Sequence, residues 1–194
     1  MELDTALKNF ADAFAAGPEN SGVVQWRTPE PIAEPMPLGP IVKAYYARMR
    51  LGGRPMVGGA LILDLIDLDD LETIQHEWGW MRDKSGQEVV DPSWNKDRII
   101  IAYRHGDAVS VDGGTAGGVV HGHIGAYSCK IADDLASFFQ AMAEAMVVEA
   151  TTYDYDVCDD DCGKLPAFLD DMRAIARRVL GPAGEAGFME FFFG

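Results

Sequence analysis

Hydrophobic residues recur every three or four positions in five stretches of the chain, and this spacing predicts five amphipathic helices. The stretches run from Leu3 to Phe14, Ile41 to Met49, Leu71 to Trp78, Leu135 to Met146 and Leu169 to Val179. The first helix is predicted over residues 2–16, where Gly17-Pro18 ends it; Gly52-Gly53 ends the second and Gly181-Pro182 the last. Acidic residues that can cap a helix precede the third at Asp67 or Asp69 and the fourth at Asp133 or Asp134.

Shorter apolar runs between these stretches have the length of β-strands. The predicted strands are Ala60–Ile66, Arg98–Tyr103, Ala108–Asp112, Val119–Ile124 and Tyr127–Ile131, with Val23–Trp26 as a candidate edge strand. Residues 28–37 are kept out of the sheet because proline cannot donate to a strand ladder. Residues 82–97 are polar, with a turn at Asp91-Pro92. The pattern predicts an α+β fold, a central and mainly antiparallel sheet flanked by helices, as one domain over residues 1–194.

The net charge of the chain limits the kinds of molecule that it is expected to bind. Lys and Arg number 16 against 31 Asp and Glu, which gives a formal net charge of −15. An acidic surface repels nucleic acid and anionic lipid and attracts a basic protein, although acidity also serves solubility alone. No apolar run reaches the roughly 18 residues of a membrane span, and the acidic start MELDTALKNF is unlike a signal peptide. We therefore expect a cytoplasmic protein that binds neither nucleic acid nor membrane.

An acidic loop over residues 153–163 is the densest charge cluster of the chain. It contains Asp154, Asp156, Asp159, Asp160 and Asp161. The start resembles a calcium loop, but a twelve-residue EF-hand counted from Asp154 needs glycine and glutamate where Asp159 and Leu165 stand. Three interpretations remain open: a solvated loop, a cation site, or part of a docking surface for a basic partner.

Cysteine and histidine offer a weaker metal hypothesis. Cys158 and Cys162 are spaced like a zinc-binding pair, and His121 and His123 would both point to one face of their strand. The alternative is two reduced thiols and two histidines on the solvent side of the sheet. Cys129 makes the count odd, which argues against a disulfide framework.

The aromatic residues divide into structural and exposed candidates. Trp94, in the turn after Asp91, is interpreted as a ring that covers the sheet edge, and Trp80 as an exposed anchor for a partner. The C-terminal tail GFMEFFFG is expected to pack on its own domain because exposed aromatics cost solubility. Packing on a second chain, which would make a homodimer rather than a monomer, is the alternative.

No catalytic group stands out. Residues 113–118 have the glycine content of a phosphate loop but lack the following Lys-Ser/Thr, and neither Ser110 nor Ser128 sits in a nucleophile-elbow pattern. We therefore predict a protein that is not an enzyme and has no cofactor.

Short motifs in a fixed order resemble the SUKH superfamily of bacterial immunity proteins and yeast cell-wall-regulator-like domains. The order is Trp26-x-x-Pro29, Pro37-Leu-Gly-Pro40, Tyr45-Tyr46, Gly52-Gly53, the run Gly59–Leu65, Trp78, Asp91-Pro-x-Trp94, Asp112 and a helix with Phe138-Phe139. The resemblance covers about residues 23–146 and leaves the N-terminal helix and the C-terminal helix with its tail as extensions. It implies a SUKH-like fold in which Trp26, Tyr46, Asp91, Trp94, Asp112 and Phe138 have structural roles.

For bacterial members the resemblance implies a non-catalytic protein that binds and neutralises a toxin domain, often a nuclease. The expected partner is a basic toxin domain, held at Asp154, Asp156, Asp159, Asp160, Asp161 and Trp80. A regulatory scaffold of the cell-wall-regulator type is the first alternative. A metal-dependent enzyme that uses His121, His123 or the acidic loop is the second.

Overall fold

The computed structural model describes residues 1–194 and confirms the predicted α+β class with a mainly antiparallel sheet. The helices are α1 (Leu3–Ala16), α2 (Pro40–Arg48), α3 (Leu71–Gly79), α4 (Leu135–Tyr153) and α5 (Pro166–Phe193). The strands are β1 (Ser21–Trp26), β2 (Met49–Val57), β3 (Leu63–Leu65), β4 (Trp80–Arg82), β5 (Glu88–Val90), β6 (Arg98–Arg104), β7 (Asp107–Asp112), β8 (Val120–Ile124) and β9 (Tyr127–Ala132).

Seven strands form one sheet in the order β1-β2-β3-β6-β7-β8-β9. Each neighbouring pair is antiparallel, so the sheet is a meander in chain order. α2 lies between β1 and β2, and α3 with the small hairpin β4–β5 lies between β3 and β6. At both points the chain leaves the sheet and returns to the strand next to the one it left.

Aromatic side chains pack the helices α1, α2 and α4 against one another. α1 lies along α4, where the rings of Phe10 and Phe139 are 4.9 Å apart between centroids. Tyr45 of α2 stacks on the same Phe139 at 5.1 Å. Asp134 begins α4 as predicted, because its carboxylate accepts a hydrogen bond from the Ser137 N–H at 2.7 Å. The helix then runs past the predicted Met146 to Tyr153.

The aromatic tail packs on its own domain, as expected. α5 breaks where the sequence predicts an end, at Gly181 with φ 74° just before Pro182, and then continues as a second helical run. This run presses against the last two strands: a Cβ at Gly187 would lie 1.9 Å from the Lys130 carbonyl oxygen. Phe188, Phe191 and Phe192 are buried there.

The segment after α2 corrects the prediction most clearly. The helix ends at Arg48, and residues 49–57 form β2 across the glycines that were predicted to terminate the helix. Gly53 and Arg54 have φ values of 66° and 54°, and the ladder with β1 shifts register nearby, as at a β-bulge. A glycine pair thus bends a strand here instead of stopping a helix.

Two further predictions are wrong in detail. The apolar run Ala60–Ile66 divides into a 3₁₀ turn at Gly59–Leu61 and the three-residue strand β3. The polar segment 82–97 contains β5, which pairs with β4 to form a hairpin that alternation did not predict because Glu88-Val89-Val90 is too short a run.

Candidate functional site

The hairpin β4–β5 carries half of the large hydrophobic side chains that the fold leaves exposed. Trp80, Met81, Val89 and Val90 are 42%, 44%, 36% and 61% exposed, and they are four of eight such residues in the chain. Trp80 pairs with Val90 and Met81 with Val89 across the two strands. We call these four side chains the apolar hairpin. The prediction of Trp80 as an exposed residue is confirmed; the other three were not predicted.

The hairpin is held in place through α3. Gln75 of this helix is 8% exposed, and its side-chain amide bonds to both backbone groups of Ile100 in β6, at 3.0 and 2.8 Å. At the C-terminal end of α3, His76 stacks on Trp80 with ring centroids 4.8 Å apart and planes 18° from parallel. Because β3 ends before Ile100, the Gln75 amide supplies the partner that a longer strand would have provided.

The turn after the hairpin is built by Asp91. Its carboxylate accepts hydrogen bonds from the backbone N–H and the hydroxyl of Ser93, at 2.7 and 2.6 Å, and these bonds lower the pKa of Asp91. The turn directs Trp94 towards Trp78 and His123, with ring centroids 5.8 and 5.4 Å away. The prediction that Trp94 covers the sheet edge is wrong about the position of the ring. Trp94 packs on His123, which lies on the inner strand β8.

His123 also corrects the expectation of two histidines on the solvent side. It is 5% exposed, and its Nε2 lies 2.7 Å from the hydroxyl oxygen of the fully buried Ser110. Burial, with help from the charges of Arg98 and His121, lowers the pKa of His123 to about 4. His121 lies on the same face, pairs with Ser110 across the ladder and is only partly buried. The imidazole of His123 is therefore neutral near pH 7 and belongs to the packing under Trp78 and Trp94.

A groove with acidic walls opens at the other end of α3. Its volume is about 590 Å³, and its lining contains Asp64, Asp67, Asp69 and Asp70 with Arg54 as the single basic group. None of the four carboxylates forms an ion pair. We call this the acidic groove. α3 joins it to the apolar hairpin, since Asp70 precedes the helix and Trp80 follows it.

The predicted acidic loop lies elsewhere, between α4 and α5. All five of its aspartates are exposed, but Asp159 turns inward and accepts hydrogen bonds from the backbone N–H groups of Asp161 and Gly163, at 3.0 and 2.8 Å. No hydrogen bond or ion pair joins the loop to α3 or to the hairpin. The structure thus separates Trp80 from the aspartates with which it was grouped.

No group of three or more His, Cys, Asp or Glu side chains is arranged to hold a metal ion. Cys158 and Cys162 are exposed free thiols, and the amino group of Lys164 lies 3.3 Å from the Cys158 sulfur. His121 and His123 lie on β8, and no hydrogen bond joins them to this loop. The ligand sets considered from the sequence therefore do not converge.

The other residues of the resemblance motifs have structural contacts. The buried Tyr46 donates a hydrogen bond from its hydroxyl to the Ile66 carbonyl oxygen at 3.2 Å, and Phe138 of α4 is fully buried. Trp26 donates to Asp4 of α1 at 3.3 Å. Asp112 holds the glycine turn after β7 by accepting from the Gly114 N–H at 3.0 Å.

Sequence reasoning did not find the acidic groove or the valines of the hairpin. A signal for the groove was present: three aspartates follow β3 within six residues of Asp64, where a strand ends and a helix begins. The exposure of Val89 and Val90 could have been inferred from their separation along the sequence from any other apolar run, because isolated apolar residues are less favourably buried in a shared core.

No family model, curated protein or solved structure matches the chain. The resemblance to the SUKH superfamily therefore stays a prediction. None of the helices is both long and apolar enough to cross a bilayer.

Proposed function

We propose that this chain is a non-catalytic protein-binding domain of the immunity type, which masks a basic toxin domain with the surface around α3. The observation that carries the proposal is the apolar hairpin. Large exposed hydrophobic patches mark interaction sites because a soluble monomer gains nothing by leaving them in water. Trp is also among the residues most enriched at the energetic centres of interfaces.

The hairpin supplies the apolar part of such an interface. Trp80 and Val90 form a cross-strand pair, and both retain exposed area that a partner can cover. Burying a fully exposed side chain of this kind contributes about 1.5–3 kcal/mol. Trp80 is already partly covered by His76, so its remaining contribution on binding is about 1–2 kcal/mol.

The acidic groove supplies the electrostatic part. Four carboxylates without an ion-pair partner surround a cavity wide enough for lysine or arginine side chains. The net charge of −15 adds a long-range attraction that speeds the encounter with a basic protein. The loop residues Asp154 to Asp161 act in this proposal through that field and not through contact, since they lie apart from α3.

A co-purification experiment with matched variants tests this docking surface. The tagged chain is used to capture proteins from cells that encode it, in parallel with Val90→Asp and with Val147→Asp. Val147 is a suitable control because it is 45% exposed on α4, away from the hairpin. We expect one basic protein to be recovered by the wild-type chain and by Val147→Asp, released by high salt, and lost with Val90→Asp.

The captured protein then decides the class of function. If its expression alone stops growth and co-expression of this chain restores growth, the immunity function is supported. Recovery of several weakly held proteins without toxicity would instead support the scaffold alternative. Equal capture by Val90→Asp would remove the hairpin from the interface, and capture of no basic protein at all would overturn the proposal.

A further inference from the structure

A second cavity lies between the hairpin, α3 and the segment that leads into β6. Its volume is about 300 Å³, which is at the lower end for small-molecule pockets. Its lining includes the rings of His76, Trp80 and Trp94 and the cationic side chains of Lys96 and Arg98. Glu72 is the only acidic residue in its lining. Four separate parts of the chain thus contribute to this cavity.

Both basic groups of the cavity lack an acidic partner. Lys96 and Arg98 form no salt bridge, as is also true of six other Lys and Arg side chains of the chain. The Nε atom of Arg98 is buried without any hydrogen-bond partner. Asp112 stands opposite Arg98 on the ladder yet makes no ion pair with it. Two cations and a buried guanidinium nitrogen without a hydrogen-bond partner, at a cavity with one acidic residue in its lining, indicate a place for an external anion.

The rings beside these cations are flat and partly exposed. His76 and Trp80 are nearly parallel, so Trp80 is held in one orientation and presents an ordered face. Trp94 is fixed in turn by its contacts with Trp78 and His123. Aromatic faces of this kind bind planar ligands by stacking, which contributes about 1–3 kcal/mol per ring.

We infer that this cavity binds a small planar molecule that carries a phosphate or a carboxylate. The anion bonds to the guanidinium of Arg98 and the ammonium of Lys96, because charge-assisted hydrogen bonds to these groups are the strong ones. The ring lies against Trp80 or Trp94, and the carboxylate of Glu72 accepts from a ring N–H or amino group. The inference goes beyond protein binding and does not depend on it, although Trp80 belongs to both surfaces.

Titration of purified protein with defined probes, followed by tryptophan fluorescence and calorimetry, tests the inference. Adenosine 5′-monophosphate and indole-3-acetate combine a ring with a phosphate or a carboxylate; adenosine and inorganic phosphate each supply one part. We expect at least one of the first two to saturate, and the single-part probes to bind about tenfold or more weakly. Saturation by only one of the two anions identifies whether phosphate or carboxylate is the preferred group.

Substitutions locate the bound molecule. Arg98→Gln and Lys96→Gln should each weaken binding about tenfold, because one charge-assisted bond is lost. Lys96 is exposed, so its variant keeps the fold. Arg82→Gln is the matched control: Arg82 is an exposed hairpin cation that does not line the cavity. Absence of saturation by both ring-bearing anions up to about 10 mM overturns the inference. Equal binding of phosphate alone, or unchanged affinity in both Gln variants, overturns it as well.

Discussion

Replacement of Gln75 by methionine should weaken the attachment of α3 to the sheet. The side chain of Gln75 donates to the Ile100 carbonyl at 3.0 Å and accepts from the Ile100 N–H at 2.8 Å. Methionine has a similar length and can fill the same space, but it makes neither bond. The substitution therefore removes the two hydrogen bonds without opening a large cavity.

The expected cost follows from the two backbone groups left behind. An unsatisfied buried donor or acceptor costs about 1–3 kcal/mol, so two of them cost roughly 2–6 kcal/mol. Water entering beside α3 would place the result near the lower limit, since Gln75 is close to the protein surface. Even about 2 kcal/mol is a large part of the 5–15 kcal/mol that typically stabilises a domain.

Urea unfolding measured by circular dichroism gives the free energy of unfolding, and hydrogen exchange gives the protection of the Ile100 amide. We expect a lower midpoint at an unchanged slope, together with faster exchange at Ile100. Thr73→Met is the control, because Thr73 is exposed on the same helix. A loss of less than about 0.5 kcal/mol for Gln75→Met would refute the reasoning, since the two bonds would then contribute nothing.

Three further substitutions test separate contacts. The folded protein holds the pKa of His123 at about 4, below the ordinary 6.5, so this residue stabilises above pH 6.5 and its contribution falls as pH drops towards 4. The loss in the free energy of unfolding between pH 6.5 and 4, discounted for partial solvent screening, is roughly 1–2 kcal/mol. His123→Asn should therefore make the free energy of unfolding depend less on pH in this range. The same pH dependence in the wild type and the variant would contradict this prediction. Gly122→Ala should cost about 1–3 kcal/mol by thermal unfolding, because its new Cβ would lie 2.3 Å from the Phe191 ring; an unchanged melting temperature would contradict this packing. Asp134→Ala should cost about 1 kcal/mol through the lost cap of α4, whereas Asp133→Ala should cost less; the reverse order would reassign the cap.

Regular patterns were enough to predict much of the sheet and most helices. The hairpin of β6 and β7 followed from two apolar runs around Gly106, and α1 from four residues at helical spacing. The end of the first half of α5 at Gly181 was also correct, because proline directly follows a glycine that adopts a positive φ. In each case the local signal and the tertiary packing agree.

The errors arise where a local signal has two physical meanings. Glycine at positions 52 and 53 can end a helix or allow a bulged strand, and only the ladder with β1 decides between them. His123 could face solvent or core, since strand alternation assigns a face but not what covers it. Trp78 and Trp94 cover it, and Trp94 reaches it only through a turn that the sequence places 29 positions earlier.

Of the residues in the candidate site, the sequence predicted only Trp80. Trp80 was expected to be exposed because it follows the end of a helical stripe. The sequence did not show which aspartates lie closest to Trp80. It could therefore not distinguish the acidic loop from the acidic groove as the charged part of the site. That relation joins distant strands and helices, and charge density along the sequence does not reveal it.

In the meander, the excursion through α3 and β4–β5 begins and ends at two neighbouring strands. Residues 66–97 leave β3 and return to its direct neighbour β6, so no other strand has to move if this insertion changes. Its contacts with the sheet include the Gln75 bonds to Ile100, the Trp78 Nε1 bond to the Tyr103 hydroxyl at 2.9 Å and the rings over His123. A change in the length of this segment can therefore be accommodated without a new strand order, because the chain still returns to the strand beside the one it left.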